Sequence, residues 1–196
     1  RDARWWLHLW PRPELRRAIA HLPRYLVTPA VSKHRVFAWL TSDVVPDVKL
    51  FAFARADDYF MGVLQSTTHT LWTLRTCSWQ GVGNDPVYRP STTFEPFSLP
   101  WPPGQEQFDD PRVIAIGDAA RDLVEKRDRW LNPEGATYAE LKKRTLTNLY
   151  NARPTWLDLA HRRLDEAVFD AYGWPHDLSD GEILERLLAL NLERVR

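Results

Sequence analysis

Apolar side chains change their spacing midway along the chain. From residue 112 onward they recur at intervals of three and four, the period of a helix with one buried stripe. Val113, Ile114, Ile116, Ala120, Leu123 and Val124 predict a helix over residues 112–131. Thr137-Tyr138-Ala139-Glu140 has the form of a capping box, in which a Thr oxygen and a Glu carboxylate satisfy free backbone N–H groups reciprocally. It opens a helix predicted to run to about Asn151. Pro154 suits the first turn of the next helix, where its missing N–H costs nothing. Trp156, Leu159, Ala160, Leu164, Ala167, Val168 and Ala171 carry that helix's stripe, and Gly173 ends it. Ser179-Asp180-Gly181-Glu182 is a second capping box, opening a last helix through Ile183, Leu184, Leu187, Leu188 and Leu190. Residues 111–196 therefore read as a small helical bundle.

Before residue 111 the grammar is strand and loop. Tyr25 to Pro29, Arg35 to Leu40 and Leu50 to Ala54 are short β-prone runs. Residues 59–74 suit a helix capped by Asp57 or Asp58, although Ser66-Thr67-Thr68 weakens its middle. A β-like stretch follows to Tyr88, and the proline-rich residues 98–111 read as a linker. The expected class is α+β: a mixed strand and helix domain over residues 1–110, then the helical bundle.

Composition narrows the function classes. The 196 residues are 44% hydrophobic and 27% charged, which is ordinary for a globular chain able to bury a core. No apolar run reaches the roughly 18 residues a membrane span needs. The single Cys77 excludes internal disulfides and cysteine-rich zinc sites, and fits a reducing cytosol. A first residue of Arg1 rather than Met points to a piece of a longer protein. Residues 1–110 hold 12 Lys/Arg against 11 Asp/Glu, and the remainder 14 against 15. Neither half is a basic, nonspecific nucleic-acid binder, so any such role needs local clusters. Ten Trp are the oddity, most of them expected in packing.

Candidate chemistry concentrates between residues 81 and 90. Gly81-Val82-Gly83 could open a phosphate-binding glycine loop, but Pro86 stands where the fingerprint needs its third glycine, and Pro90 argues against a following helix. A turn joining strands is the simpler account. Asp85-Pro86-Val87-Tyr88 is one residue from the Asp/Asn-Pro-Pro-Tyr/Phe signature of amino-methyltransferases. That chemistry also needs a cofactor-binding α/β unit upstream, and residues 1–80 supply none. No catalytic residue is assigned. No two of the six histidines sit at a metal spacing, and no metal site is expected. Asp57-Asp58 is read as a helix cap rather than a metal pair. Ser32-Lys33-His34-Arg35 puts fixed charges and a hydroxyl beside a strand, which suits phosphate contacts or simply a solvated turn. Lys142-Lys143-Arg144 has the same ambiguity.

Taken in order, several short blocks resemble one family. They are Arg24-Tyr25, Thr28-Pro29, Ser32 to Phe37, Phe60 with Gly62-Val63-Leu64, His69 and Trp72. Then come Gly81 to Pro86 with Tyr88, Thr92 to Phe97, Leu146 to Asn151, Arg153-Pro154 with Trp156-Leu157, and Ala171 to Pro175. Over nearly the whole chain this is similar to the C-terminal part of the MmeI-like DNA methyltransferases of type II restriction–modification and related phage-defence systems. The resemblance implies a DNA target recognition domain over residues 1–110 and a C-terminal helical domain after it. It implies that the complete protein methylates adenine at N6 with S-adenosylmethionine through an upstream methyltransferase domain, that this piece holds no cofactor, and that its partner is double-stranded DNA. Base reading is then expected from Gly83, Asp85 and Val87 on one face of an extended strand, with Asn84 on the other. Ser32, Lys33, Arg35, Arg75 and Arg89 are the expected phosphate or base contacts. The rival expectation is a tryptophan-rich protein-interaction module without direct DNA readout.

Overall fold

The computed structural model describes residues 12–82 and 85–194. Its first sheet is antiparallel. Strand β1 (Arg24–Pro29) lies between β2 (Ala38–Thr41) and β3 (Leu50–Phe53). Alternation of side chains splits β1 between two cores. Tyr25 and Val27 pair with Leu40, Ala38 and Ala52, and with Ile19 they form a small cluster beside helix α1 (Pro13–Ile19). Leu26 turns the other way, into the main core.

That core is organised by two helices at close range. Helix α2 (Asp58–Gln65) is buried from Tyr59 to Gln65 and starts at Asp57, whose carboxylate accepts the Phe60 N–H at 2.8 Å. Helix α4 (Pro111–Leu131) starts at Asp110, which caps the Arg112 N–H, with Pro111 in its first turn. The pair approaches closely at Gly62, where an added Cβ would lie 2.6 Å from Ile116 Cγ2. Helix α7 (Thr155–Tyr172) covers α4, and Gly173 closes it at a φ of 70°. Helix α8 (Asp180–Arg194) begins at Ser179, whose N–H donates to Glu182 Oε2 at 2.8 Å.

Two expected helices are each broken. The run after Asp57 divides at Ser66, where the backbone turns extended and α3 (Thr67–Thr76) starts afresh. The run after Thr137 stops as the single turn α5 (Tyr138–Leu141), and α6 (Leu146–Ala152) begins at Thr145, whose hydroxyl accepts the Asn148 N–H. In both cases a hydroxyl residue offers the backbone a competing hydrogen bond. The expected strand from Arg35 is shorter, starting at Ala38.

Residues 98–111 are not a free linker. Leu99 and Glu106 are buried, and Glu106 bonds Arg55 and the Gly104 N–H. Tyr172 donates to Ser98 O at 2.7 Å, Asn191 to Pro96 O, and Arg194 to the carbonyls of Leu99 and Pro100. One cluster of buried apolar residues runs from Leu26, Phe37 and Phe60 through Ile116 and Leu157 to Leu187. The architecture is α+β, with three- and two-stranded antiparallel sheets against a helical body. Among the described residues no helix is long and apolar enough to cross a membrane.

Candidate nucleic-acid interface

Strands β4 (Ser78–Gln80) and β5 (Asp85–Val87) form an antiparallel hairpin with Ser78 opposite Val87, Trp79 opposite Pro86 and Gln80 opposite Asp85. Gly81 takes a φ of 67° where β4 turns, a conformation glycine adopts without a steric penalty. Gly81 thus belongs to a strand turn, and β5 leads into a π-helical turn at Pro90–Phe94. The hairpin's base is fastened to the loop after β1. Val31 bridges to Val87, and the Tyr88 N–H donates to Ala30 O at 2.7 Å. Trp79 is 49% exposed and Val82 95% exposed.

The same loop reaches the helical body. Lys33 Nζ donates to Asn151 Oδ1 at 2.7 Å, and His34 Nε2 lies 2.9 Å from that oxygen. An amide oxygen only accepts, so the His34 proton sits on Nε2. Asn151 lies in the last turn of α6, two residues before Arg153, a non-glycine residue at a φ of 41° whose guanidinium pairs with Asp158 at 2.5 Å. Such a φ is uncommon outside glycine, and here it turns the chain out of α6 just before Pro154.

No family model matches this sequence. No curated protein matches it either. Among solved structures, that of the type IIL restriction-modification enzyme MmeI in complex with DNA superimposes with a TM-score of 0.67. Sequence identity is 20%, over 88% of this chain and 21% of that enzyme's chain. The chain has the fold of that portion of MmeI. It spans about a fifth of the MmeI chain, and the likeness at this identity is one of fold.

On this MmeI fold the expected site residues divide. Arg75 lies in the last turn of α3, three residues before Ser78, and Arg89 follows Val87 by two; both are exposed and flank the hairpin base in sequence. Lys33 is exposed two residues from the Val31 bridge. Asp85 is half-buried at the outer end of β5. Ser32 is half-buried, and its hydroxyl donates to His34 O at 2.8 Å, so it shapes the loop. Gly83 and Asn84 lie outside the described residues.

Two expected contacts are corrected. Val87 is 4% exposed, covered where β5 meets both β4 and Val31. It presents nothing to a base. Arg35 is 6% exposed, with its guanidinium held by Thr28, Pro29 and Pro86 and stacked over the Tyr88 ring. Burial lowers its pKa to about 10, which leaves it charged at neutral pH and still unable to meet a phosphate. Asn151 and Arg153 were not among the expected contacts, yet Asn151 meets Lys33 and Arg153 follows Asn151 by two residues. They stand more than 110 positions from Lys33, and only the left-handed turn between α6 and Pro154 marks them locally. Asp57 and Asp58 are spent on the α2 cap and on Arg24 and Arg121, and no metal-binding cluster occurs among the described residues.

Proposed function

We propose that this chain is the sequence-reading portion of an S-adenosylmethionine-dependent N6-adenine DNA methyltransferase of a restriction–modification or related defence system. The fold shared with an enzyme solved on DNA carries this reading. Its chemistry is supported by the surface around the hairpin base. In a molecule with no net charge, Arg75 and Arg89 are exposed cations beside the strands that carry Trp79 and Asp85, Lys33 is exposed two residues from the Val31 bridge, and Arg153, paired with Asp158, follows Asn151, which Lys33 contacts. Such cations suit duplex phosphates, which position a protein without carrying sequence information. Asp85 suits an exocyclic amino group, which donates to its carboxylate, whereas a base carbonyl has no proton to give it.

In this proposal residues 1–110 read the site, and the following helices brace them and add the turn at residues 151–153 to the same face. An upstream methyltransferase domain of the parent protein binds the cofactor and methylates an adenine flipped from the stack. The uncharged total implies that affinity is local and shared with that domain. The exposed Trp79 and Val82 favour a second reading, a surface for another protein.

Mapping N6-methyladenine in DNA from a host expressing the full-length parent separates the two. Asp85→Arg is expected to change the methylated motif at one base pair. An unchanged motif removes Asp85 from base reading. An expressed parent that methylates no discrete motif sinks the recognition role and leaves the protein-interaction surface.

A further inference from the structure

The recognition hairpin is held from beneath by a buried arginine. Strand β5 is short, and Pro86 at its centre has no N–H to give to either neighbour. Its carbonyl points inward instead and accepts from Arg35 Nη2 at 3.4 Å. The other end of that guanidinium is anchored in β1, where Nη1 donates to Thr28 Oγ1 at 3.1 Å and to Pro29 O. The plane stacks over Tyr88, 4.8 Å from the ring centre. Nε finds no partner, and no carboxylate pairs with Arg35 among the described residues.

A buried cation with only neutral acceptors is a poor stabilising element, since desolvation offsets much of what its bonds return. Its geometry is nonetheless specific. A planar fork with five donors spans fixed acceptors in a way that an ammonium or an apolar chain cannot. The anchor is itself rigid. Thr28 Oγ1 donates to Val36 O at 2.9 Å, and Gln65 fixes the segment by donating to Arg35 O and accepting the Phe37 N–H. Gln65 in turn meets Arg127 of α4, whose Nη2 donates to Phe37 O at 2.8 Å. Rigidity therefore passes from the helical body through α2 to the strand that carries Asp85.

We propose that Arg35 is a positioning residue for base discrimination, fixing β5 and with it the Asp85 carboxylate from inside the molecule. This rests on the recognition role argued above. Arg35 makes no DNA contact. It sets where the reading group stands.

The test compares the full-length parent with its Arg35→Met, Arg35→Lys and Asp85→Arg variants. Methylation rates are measured on duplexes carrying the mapped motif and each single-base replacement. Ratios of rates are taken within each protein, so a smaller folded fraction cancels. Arg35→Met is expected to lower discrimination about tenfold at the base pair that Asp85→Arg alters, and to leave the other positions within about twofold, since one mismatch commonly changes binding by such factors. Arg35→Lys keeps the charge, loses the fork and gives the same relaxation. If Asp85→Arg shifts the motif while both Arg35 variants keep full discrimination, the positioning role is wrong and the recognition role stands. An equal loss at every position also overturns it, as a merely structural residue would behave that way. A wild-type parent with no motif overturns both.

Discussion

Tyr88 and His69 meet inside the core, directly after the strand proposed to read DNA. Their hydroxyl and Nε2 are 3.2 Å apart, and His69 Nδ1 lies 2.8 Å from Leu64 O. A carbonyl only accepts, so Nδ1 holds the proton, Nε2 is a lone pair, and Tyr88 donates. Burial first, and Arg35 also, lower the His69 pKa to about 3, while its bond to Leu64 acts the other way. The unfolded chain takes up this proton near pH 6.5 and the folded chain does not. The stabilisation is therefore complete above about pH 6.5 and is lost as pH falls toward 3, at about 1.4 kcal/mol per pH unit for one proton. His69→Asn is expected to flatten the fall in unfolding free energy between pH 7 and 5 by about 2 kcal/mol relative to wild type. Urea titrations at the two pH values check this, and parallel wild-type and variant curves would refute it. His161, lowered to about 4 by burial, titrates in both proteins and cancels. None of this was legible in the sequence, where His69 is one of six histidines without a partner at useful spacing. Val87 and Arg35 failed for a related reason. Alternation assigns faces to an isolated strand, but β5 is covered on both edges, and a charge beside a strand does not reveal that its partners lie beneath it.

Helices were legible where their ends carry chemistry. The Asp57 cap, the Thr137 and Ser179 capping boxes, Pro154 and Gly173 all mark boundaries found in the fold. Interruptions were harder, because Ser66 and Thr145 act as breaks only in their observed backbone conformations. Closeness between helices was not legible either. Gly62 sits in an apolar run with nothing to show that Ile116 Cγ2 and O would stand 2.6 and 3.1 Å from an added Cβ. A methyl group there must push α2 from α4 or displace the Ile116 side chain. Gly62→Ala is expected to destabilise the chain by about 1–3 kcal/mol, the usual cost of overpacking, despite alanine's better helix propensity. A urea midpoint equal to or above the wild type would show that the interface yields freely.

At the scale of the molecule, the change of grammar near residue 111 marks a change of secondary structure but no gap in packing. The proline-rich stretch looked like a linker because prolines break helix interiors and central strands. Its carbonyls are instead taken up by Tyr172 and Arg194, and α2 buries itself against α4 across the expected boundary. Lys33 and Asn151 meet across the same boundary. The surface proposed for recognition therefore draws on both halves of the chain, which no local motif could disclose. Its central claim is that the face formed by the loop after β1, the β4–β5 hairpin and the turn after α6 lies against DNA. Hydrogen–deuterium exchange of the full-length parent, with and without a duplex carrying its methylation site, tests this most directly. The account predicts slowed exchange at residues 30–34, 78–89 and 151–153, with α8 unchanged. Protection absent from these three segments, with DNA bound elsewhere on the parent, would contradict it.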